Sequence, residues 1–284
     1  MSTSPASSAP AVPEEVAETP LEALASICCV FVVALFVMTY VAQNFEIPSA
    51  SMENTLLIGD HVLVDRATLA PGSRWSPFVH HRPVHRGDVI VFLKPHSETP
   101  DMILVKRAIG IPGDHIHLRH GIVFVNGVEQ HEKYAQMPDE FSYVSYRDDF
   151  PSDVAGLSRQ ASEDLAARAD CQTPDCINQD AIDNRTITWA TELPAYIEGD
   201  DLVVPPGAVF AMGDNRTQSL DGRFWGFVPQ ENILGRPLFV YWSFETPADQ
   251  ENKTSIGDRI GFMFHVVVHI FDETRWKRTF HVIR

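Results

Sequence analysis

The chain has 284 residues, 44% of them hydrophobic, and a formal net charge of −16. That apolar content is enough to build a core, which excludes disorder throughout, and the length allows one large domain or two ordinary ones. The negative charge repels polyphosphate. No basic stripe that could release condensed counterions runs along the sequence, so nucleic acid is excluded as a partner.

Residues 1–20 are rich in Ser, Ala, Pro and Glu, cannot bury enough apolar surface to offset the entropy of ordering, and read as a disordered tail. From Leu24 to Ala42 the chain is apolar except for Ser26 and Thr39. About 19 residues at 1.5 Å each give roughly 29 Å, the thickness of a bilayer's hydrocarbon core, so a transmembrane helix is expected over 21–43. A cleaved signal peptide would need a basic leading segment and a shorter apolar run. Here Glu14, Glu15, Glu18 and Glu22 precede or open the run and no Lys or Arg does. The first basic residue is Arg66, too distant for flanking charge to set the orientation.

Beyond the helix, β-branched runs alternate with turn signals: His61–Asp65, Asp88–Lys94, Ile103–Ile109, His115–Val125, Leu202–Val204, Val209–Met212 and Leu238–Trp242. This spacing predicts a mainly β fold, an antiparallel sheet core over 44–137 and 202–245. His120-Gly121 and Asn126-Gly127 mark hairpin turns. Residues 138–201 are acidic, with a short helical pattern at Ser162–Ala169, and read as an insertion or cap on that core. Within 246–284, the stretch Gly261–Phe271 is apolar but broken by His265 and His269 and too short to span, leaving an interfacial segment and a terminal core element as alternatives.

Cys28 and Cys29 lie inside the apolar run and act there as small hydrophobes, while Cys171 and Cys176 sit in a polar stretch at a spacing that allows a small closed loop. Neither pair has zinc-site spacing. His115, His117 and His120 lack an HExxH pattern and a carboxylate partner in sequence, so no metal is expected there. Arg86-Gly87-Asp88 leads into a strand and reads as a turn.

Two segments carry the chemistry. Ser49-Ala50-Ser51 follows the membrane helix, and Lys106 stands in the middle of the strand-like run Met102–Ile109. Alternation groups Lys106 with Leu104 and Ala108, and Arg107 with Val105 and Ile109, so one of the two basic side chains is expected to point inward. Burial lowers a lysine pKa, and a neutral amine can take a proton from a serine hydroxyl.

These segments resemble the type I signal peptidases. Ser49–Leu56 with Gly59-Asp60, Arg86–Phe92, Lys106–Asp114, and Met212–Arg216 with Ser219, Asp221, Arg223 and Trp225-Gly226 match four family patterns in order across residues 24–243. The resemblance implies a membrane-bound serine endopeptidase that removes signal peptides from exported precursors, with Ser51 as nucleophile and Lys106 as general base. It further implies Ser49 as an oxyanion donor beside the Ser51 N–H, Ser219 as a holder of the lysine amine, and Asp221 with Arg223 as a bracing ion pair. Phe45, Ile47, Leu104 and Val105 would line shallow substrate pockets.

No cofactor or metal is implied. The implied partners are signal-peptide precursors and the lipid bilayer, and the implied location is the bacterial inner membrane, single-pass, with a cytoplasmic tail and a periplasmic catalytic domain. In that oxidising compartment a Cys171–Cys176 bridge is expected. The sequence departs from the family pattern at Ala50 (usually Gly), Asn54 (usually Pro), Thr217-Gln218 (usually Asp-Asn) and Gly222 (usually Ser). Ala50 puts a methyl where backbone freedom is usual.

Overall fold

A computed structural model describes residues 19–69, 81–95, 102–169, 188–247, 250 and 255–283. Helix α1 (Pro20–Phe36) starts at a capping box: Thr19 Oγ1 accepts from the Glu22 N–H and Glu22 returns a bond to the Thr19 N–H, with Pro20 at the first helical position. A π-helical turn, Val37–Val41, prolongs it. The combined 22 residues have a mean hydropathy of 2.6 and none is buried, a helix long and apolar enough to cross a membrane.

The strands are β1 (Ala42–Glu46), β2 (Asp60–Asp65), β3 (Val89–Leu93), β4 (Ile103–Gly110), β5 (His115–Arg119), β6 (Ile122–Val125), β7 (Val128–Glu129), β8 (Ile197–Glu198), β9 (Asp201–Val203), β10 (Ala208–Met212), β11 (Val228–Pro229), β12 (Ile233–Ser243) and β13 (His281–Val282). One eight-stranded sheet runs β1-β2-β12-β3-β4-β10-β11, with β13 also on β12; a five-stranded sheet runs β7-β6-β5-β9-β8. Every strand pairing is antiparallel. β2 alternates buried and half-buried residues, as a strand with one covered face must, whereas β3 is a continuous apolar run buried from Val89 to Phe92. The expected run His115–Val125 is two strands. Positive φ at His120 and Gly121 turns the chain between them, and the same pattern at Asn126 and Gly127 follows β6.

β1 follows α1 and its π turn without a loop and pairs with β2, so the apolar N-terminal helix leads straight into the large sheet. Residues 47–59 connect these two strands. Ile47, Met52 and Leu56 from this connection join Val62, Val64, Val91 and Val240 in one core cluster. That burial fixes the segment carrying Ser51 against the sheet.

Residues 138–201 add α2 (Ser145–Asp148) and α3 (Val154–Ala169), the latter starting a turn or more before the expected helical pattern. Phe150, Trp189 and Leu193 are buried with Phe210, Phe227 and the small-sheet residues Ile116, Leu118 and Val123. This region therefore supplies core. The expected Cys171–Cys176 bridge lies outside the described residues.

Helix α4 (Gly222–Trp225) starts at Asp221, which accepts from the Arg223 N–H. Helix α5 (Ile256–Val268) is capped by Ser255, whose hydroxyl accepts from the Asp258 N–H. None of its residues is buried. Ile256, Ile260, Met263, Phe264, Val267 and Val268 form an exposed apolar stripe at helical spacing, while Phe262 and His265 lie edge-on to Phe244 at the end of the sheet. Of the two readings left open for Gly261–Phe271, a buried terminal core element is the one these exposures oppose.

Candidate active site

The nucleophile candidate sits in a single 3-10 turn, Ala50–Met52, closed at its base by reciprocal bonds in which Ile47 N–H donates to Asp60 O and Gly59 N–H donates to Ile47 O, both 2.9 Å. Ala50 is among the turn's helical residues and has no positive φ, so its methyl is accommodated. Asn54 has φ +87°, which a proline ring fixed near −65° cannot reach; the departure from the family pattern thus matches a local left-handed conformation that Asn tolerates. A remote loop holds the turn from the other side: Asn215 N–H donates to the Ser51 carbonyl at 3.1 Å.

Lys106 lies mid-strand on β4, opposite Ile90 of β3, and is 3% exposed. Its Nζ is 2.5 Å from Ser51 Oγ, a buried contact between residues 55 apart in sequence. Burial pushes the Lys106 amine down to about 8; Asp221 and Asp214 pull it back up and the Arg223 charge presses it down. A substantial fraction of the amine is therefore neutral near pH 8 and can accept the Ser51 proton.

The remaining expected site residues fall at graded distances from this pair. Ser49 Oγ is 3.4 Å from Ser51 Oγ. Ser219 is buried, and its Oγ has no hydrogen-bond partner among the described residues, so the expected bond to Lys106 is not formed in this structure. Ser219 stands against Gly213, where an added Cβ would collide with its hydroxyl and lie 2.5 Å from the Ser51 carbonyl oxygen. Asp221 and Arg223, both fully buried, pair through Nε–Oδ1 at 2.9 Å and Nη2–Oδ2 at 2.8 Å, and Gly213 N–H also donates to Asp221. Burial alone would raise the Asp221 carboxyl; the Arg223 charge and these bonds outweigh it and hold it below the usual range. Phe45, Ile47 and Val105 pack in one cluster beneath the turn, while Leu104 packs with the separate group around Ile90, Phe92 and Trp225.

Arg107 corrects the expectation that one basic residue of β4 points inward. Both are buried, Arg107 at 1% exposure. Its guanidinium forms a two-pronged pair with the fully buried Asp214 at 2.8 and 2.7 Å, donates to Thr55 Oγ1 at 3.1 Å and Gly87 O at 2.7 Å, and lies 3.7 Å from the Tyr134 ring centroid. Thr55 in turn donates to Asp214 at 2.5 Å. The sequence signal for Asp214 was its place in the Met212–Arg216 motif; nothing in spacing tied it to Arg107. Two further pairs were equally silent: Arg216 with Glu132 at 2.7 Å, and the half-buried Arg147 with the buried Asp148 at 2.7 Å.

The histidines also differ from expectation. Asp201 of β9 supplies the carboxylate that sequence spacing could not show, 2.5 Å from His117 Nδ1 and 4.0 Å from His115 Nδ1, while His120 pairs with Asp149 instead. His117 stacks on Phe124.

A buried serine hydroxyl in contact with a lysine amine of lowered pKa defines a serine-hydrolase class of site, with lysine in the position histidine takes in a triad. The comparisons with known proteins agree with that class. The family model described as signal peptidase, peptidase S26, matches residues 21–242. The signal peptidase I of Aquifex aeolicus is 33% identical over 77% of this chain and 83% of its own length. That of Buchnera aphidicola subsp. Schizaphis graminum is 30% identical over 84% and 78%, and that of Leptolyngbya laminosa 28% over 82% and 85%. The chain belongs to the signal peptidase S26 family.

Proposed function

We propose that this protein is a membrane-anchored serine endopeptidase that removes N-terminal signal peptides from exported precursor proteins through the pair Ser51 and Lys106. The observation that carries the reading is the 2.5 Å contact between Lys106 Nζ and Ser51 Oγ inside a setting that lowers the amine to about 8. The neutral amine takes the hydroxyl proton as Oγ attacks the scissile carbonyl, forming a tetrahedral oxyanion beside the Ser49 hydroxyl and the Ser51 N–H. The resulting ammonium then returns that proton to the leaving amine, giving an acyl-enzyme that water opens by the same base in a second cycle. Asp221–Arg223 and Arg107–Asp214 keep the surrounding buried charges paired, and neither step calls for a metal or cofactor.

In this reading residues 1–20 lie in the cytoplasm, 21–43 span the inner membrane, 44–137 with 202–245 form the periplasmic catalytic core, and 138–201 cap it. Support comes from two exposed apolar surfaces, that of α1 and that of α5. Because β1 continues the membrane helix, Ser51 follows Val41 by so few residues that a fully extended chain would keep it within roughly 35 Å of the helix end. A bilayer-borne signal peptide presents its small-residue cleavage site at that same surface. Phe45, Ile47 and Val105, with Leu104 alongside, would receive its small side chains.

The test is cleavage of a signal-peptide precursor by the purified full-length chain in detergent or lipid. Turnover by the wild type and none by Ser51→Ala is the expected result. Equal turnover by Ser51→Ala would overturn the assignment, and a folded wild type without turnover on several precursors would favour an inactive scaffold of the same fold.

A further inference from the structure

His265 in the last turn of α5, His269 at its C-cap and Glu273 beyond it each offer one ligand atom within 4.8 Å of the others. We propose that these three side chains bind a divalent transition-metal cation of the zinc class, which clamps the last turn of α5 to the end of the large sheet. The site stands apart from Ser51 and Lys106, and the inference does not depend on the reaction proposed for them.

His269 caps the helix end four residues after His265, and the two imidazole ring centroids are 4.5 Å apart. After His269 the chain turns back, bringing Glu273 Oε2 2.8 Å from His265 Nε2 and Oε1 3.7 Å from His269 Nδ1. Bonds of about 2.0–2.2 Å from zinc to nitrogen and carboxylate oxygen put neighbouring ligand atoms roughly 3.3 Å apart in a tetrahedron, between these two separations. Asp272 Oδ2, 2.9 Å from His269 Nδ1, is placed to support or complete the set.

Backbone bonds already place the three residues relative to one another: Glu273 N–H donates to His269 O at 3.0 Å. His269 N–H donates to His265 O within the helix end. Glu273 is also tied to the segment that follows the end of β12: its carbonyl accepts from Glu245 N–H at 3.0 Å, and its neighbour Thr274 forms an isolated bridge with Phe244. The His265 ring stacks on Phe262 and meets Phe244 edge-on, which limits its rotation. Two imidazoles and a carboxylate favour zinc, copper or nickel over calcium or magnesium, which prefer all-oxygen sites. Bound there, the ion would replace the His265–Glu273 and His269–Asp272 hydrogen bonds by a cross-link between the end of α5 and the segment beside Phe244, fixing the orientation in which α5 shows its apolar stripe outward.

Tag-free full-length protein in detergent micelles, stripped with chelator and titrated with zinc by calorimetry, tests this. The expected result is one ion per chain, a rise in Tm on binding, and an X-ray absorption shell of nitrogen and oxygen near 2.0–2.1 Å. His265→Ala, His269→Ala and Glu273→Gln should each weaken binding at least tenfold and abolish the Tm rise, whereas Ser51→Ala should bind as the wild type does. Unchanged circular dichroism and precursor cleavage in the three variants would show that they fold. No saturable binding, equal binding by a His265→Ala/His269→Ala double variant, or a sulfur shell near 2.3 Å pointing to the cysteines would overturn the proposal.

Discussion

The two sides of strand β4 handle a buried positive charge in opposite ways. Lys106 leaves the strand toward Ser51 with no carboxylate of the described residues in direct contact, and burial drives its amine toward neutrality. Arg107, the next residue, leaves on the other side and meets Asp214 in a two-pronged pair with Thr55, Gly87 and Tyr134 around it. A guanidinium cannot give up its proton at any working pH, so burying it requires a partner; an ammonium can, so burying it without one makes a base. One strand thus carries a paired guanidinium and a neutralisable amine side by side, and the difference lies in what faces each, not in where each sits in the sequence.

The largest effect should come from erasing the difference. Lys106→Arg places a permanent charge where a neutral amine is needed, and Lys106→Ala removes the base; both should lower kcat by about 10³-fold or more, with near-native circular dichroism for the alanine variant. Precursor cleavage at saturating substrate measures it. Residual turnover within tenfold of wild type would mean that another group takes the Ser51 proton.

Removing the partner from the other side should act on stability first. Asp214→Ala takes the carboxylate away from the buried Arg107 guanidinium, a change expected to cost about 3–5 kcal/mol, whereas Arg107→Met with Asp214→Leu removes both charges and should cost much less. Urea titrations of the three proteins decide between this account and one in which the pair merely fills space, which would make the double variant the worst.

A third effect connects the two sides. Activity should require the neutral Lys106 amine, so it should rise with pH through about 8 and fall roughly fiftyfold between pH 8 and pH 6. The Asp214 and Asp221 charges raise that pKa. Asp214→Asn should therefore lower it and move the acid limb of the kcat profile to lower pH, although Asn keeps the shape of the site. A limb that stays in place would show that Asp214 does not act on Lys106 through space.

How much of this the sequence disclosed follows from the range of the interactions. α1, the β3 and β4 runs and the two hairpin turns are written in local patterns of hydropathy and positive-φ residues, and they appear where those patterns put them. Ser51 and Lys106 were legible because each sits in a motif, although their contact spans 55 positions. Arg107–Asp214, 107 positions apart, and Arg278–Asp60, 218 apart, were not. Buried ion pairs leave no periodicity, because each partner alone looks like a polar interruption of its own segment. The Arg278 pair also shows why the C-terminal stretch was hard to place: its apolar side chains are exposed on α5 while Arg278 reaches back to Asp60 at 2.5 Å and to Thr55 O at 3.0 Å, tying this stretch to the segment that carries Ser51.

The smallest expected effect tests how tightly the brace near Lys106 is packed. Gly222 stands between Asp221 and Arg223, where the family pattern has serine, and a Cβ added there would lie 2.8 Å from the Phe210 ring and 2.9 Å from the Ala211 carbonyl oxygen. Phe210 is fully buried among Phe150, Trp189 and Phe227 and cannot swing away, so α4 must shift instead. Gly222→Ser should then cost about 1–3 kcal/mol, the range for forcing extra atoms into a packed core. The shift would also loosen the Asp221–Arg223 pair, whose two charges act on Lys106 with opposite sign, so the pKa read from the kcat profile should move less than in Asp214→Asn. A Gly222→Ser protein as stable as wild type would mean that the loop 213–222 has room to restore the family's serine, and that the glycine here is not demanded by packing.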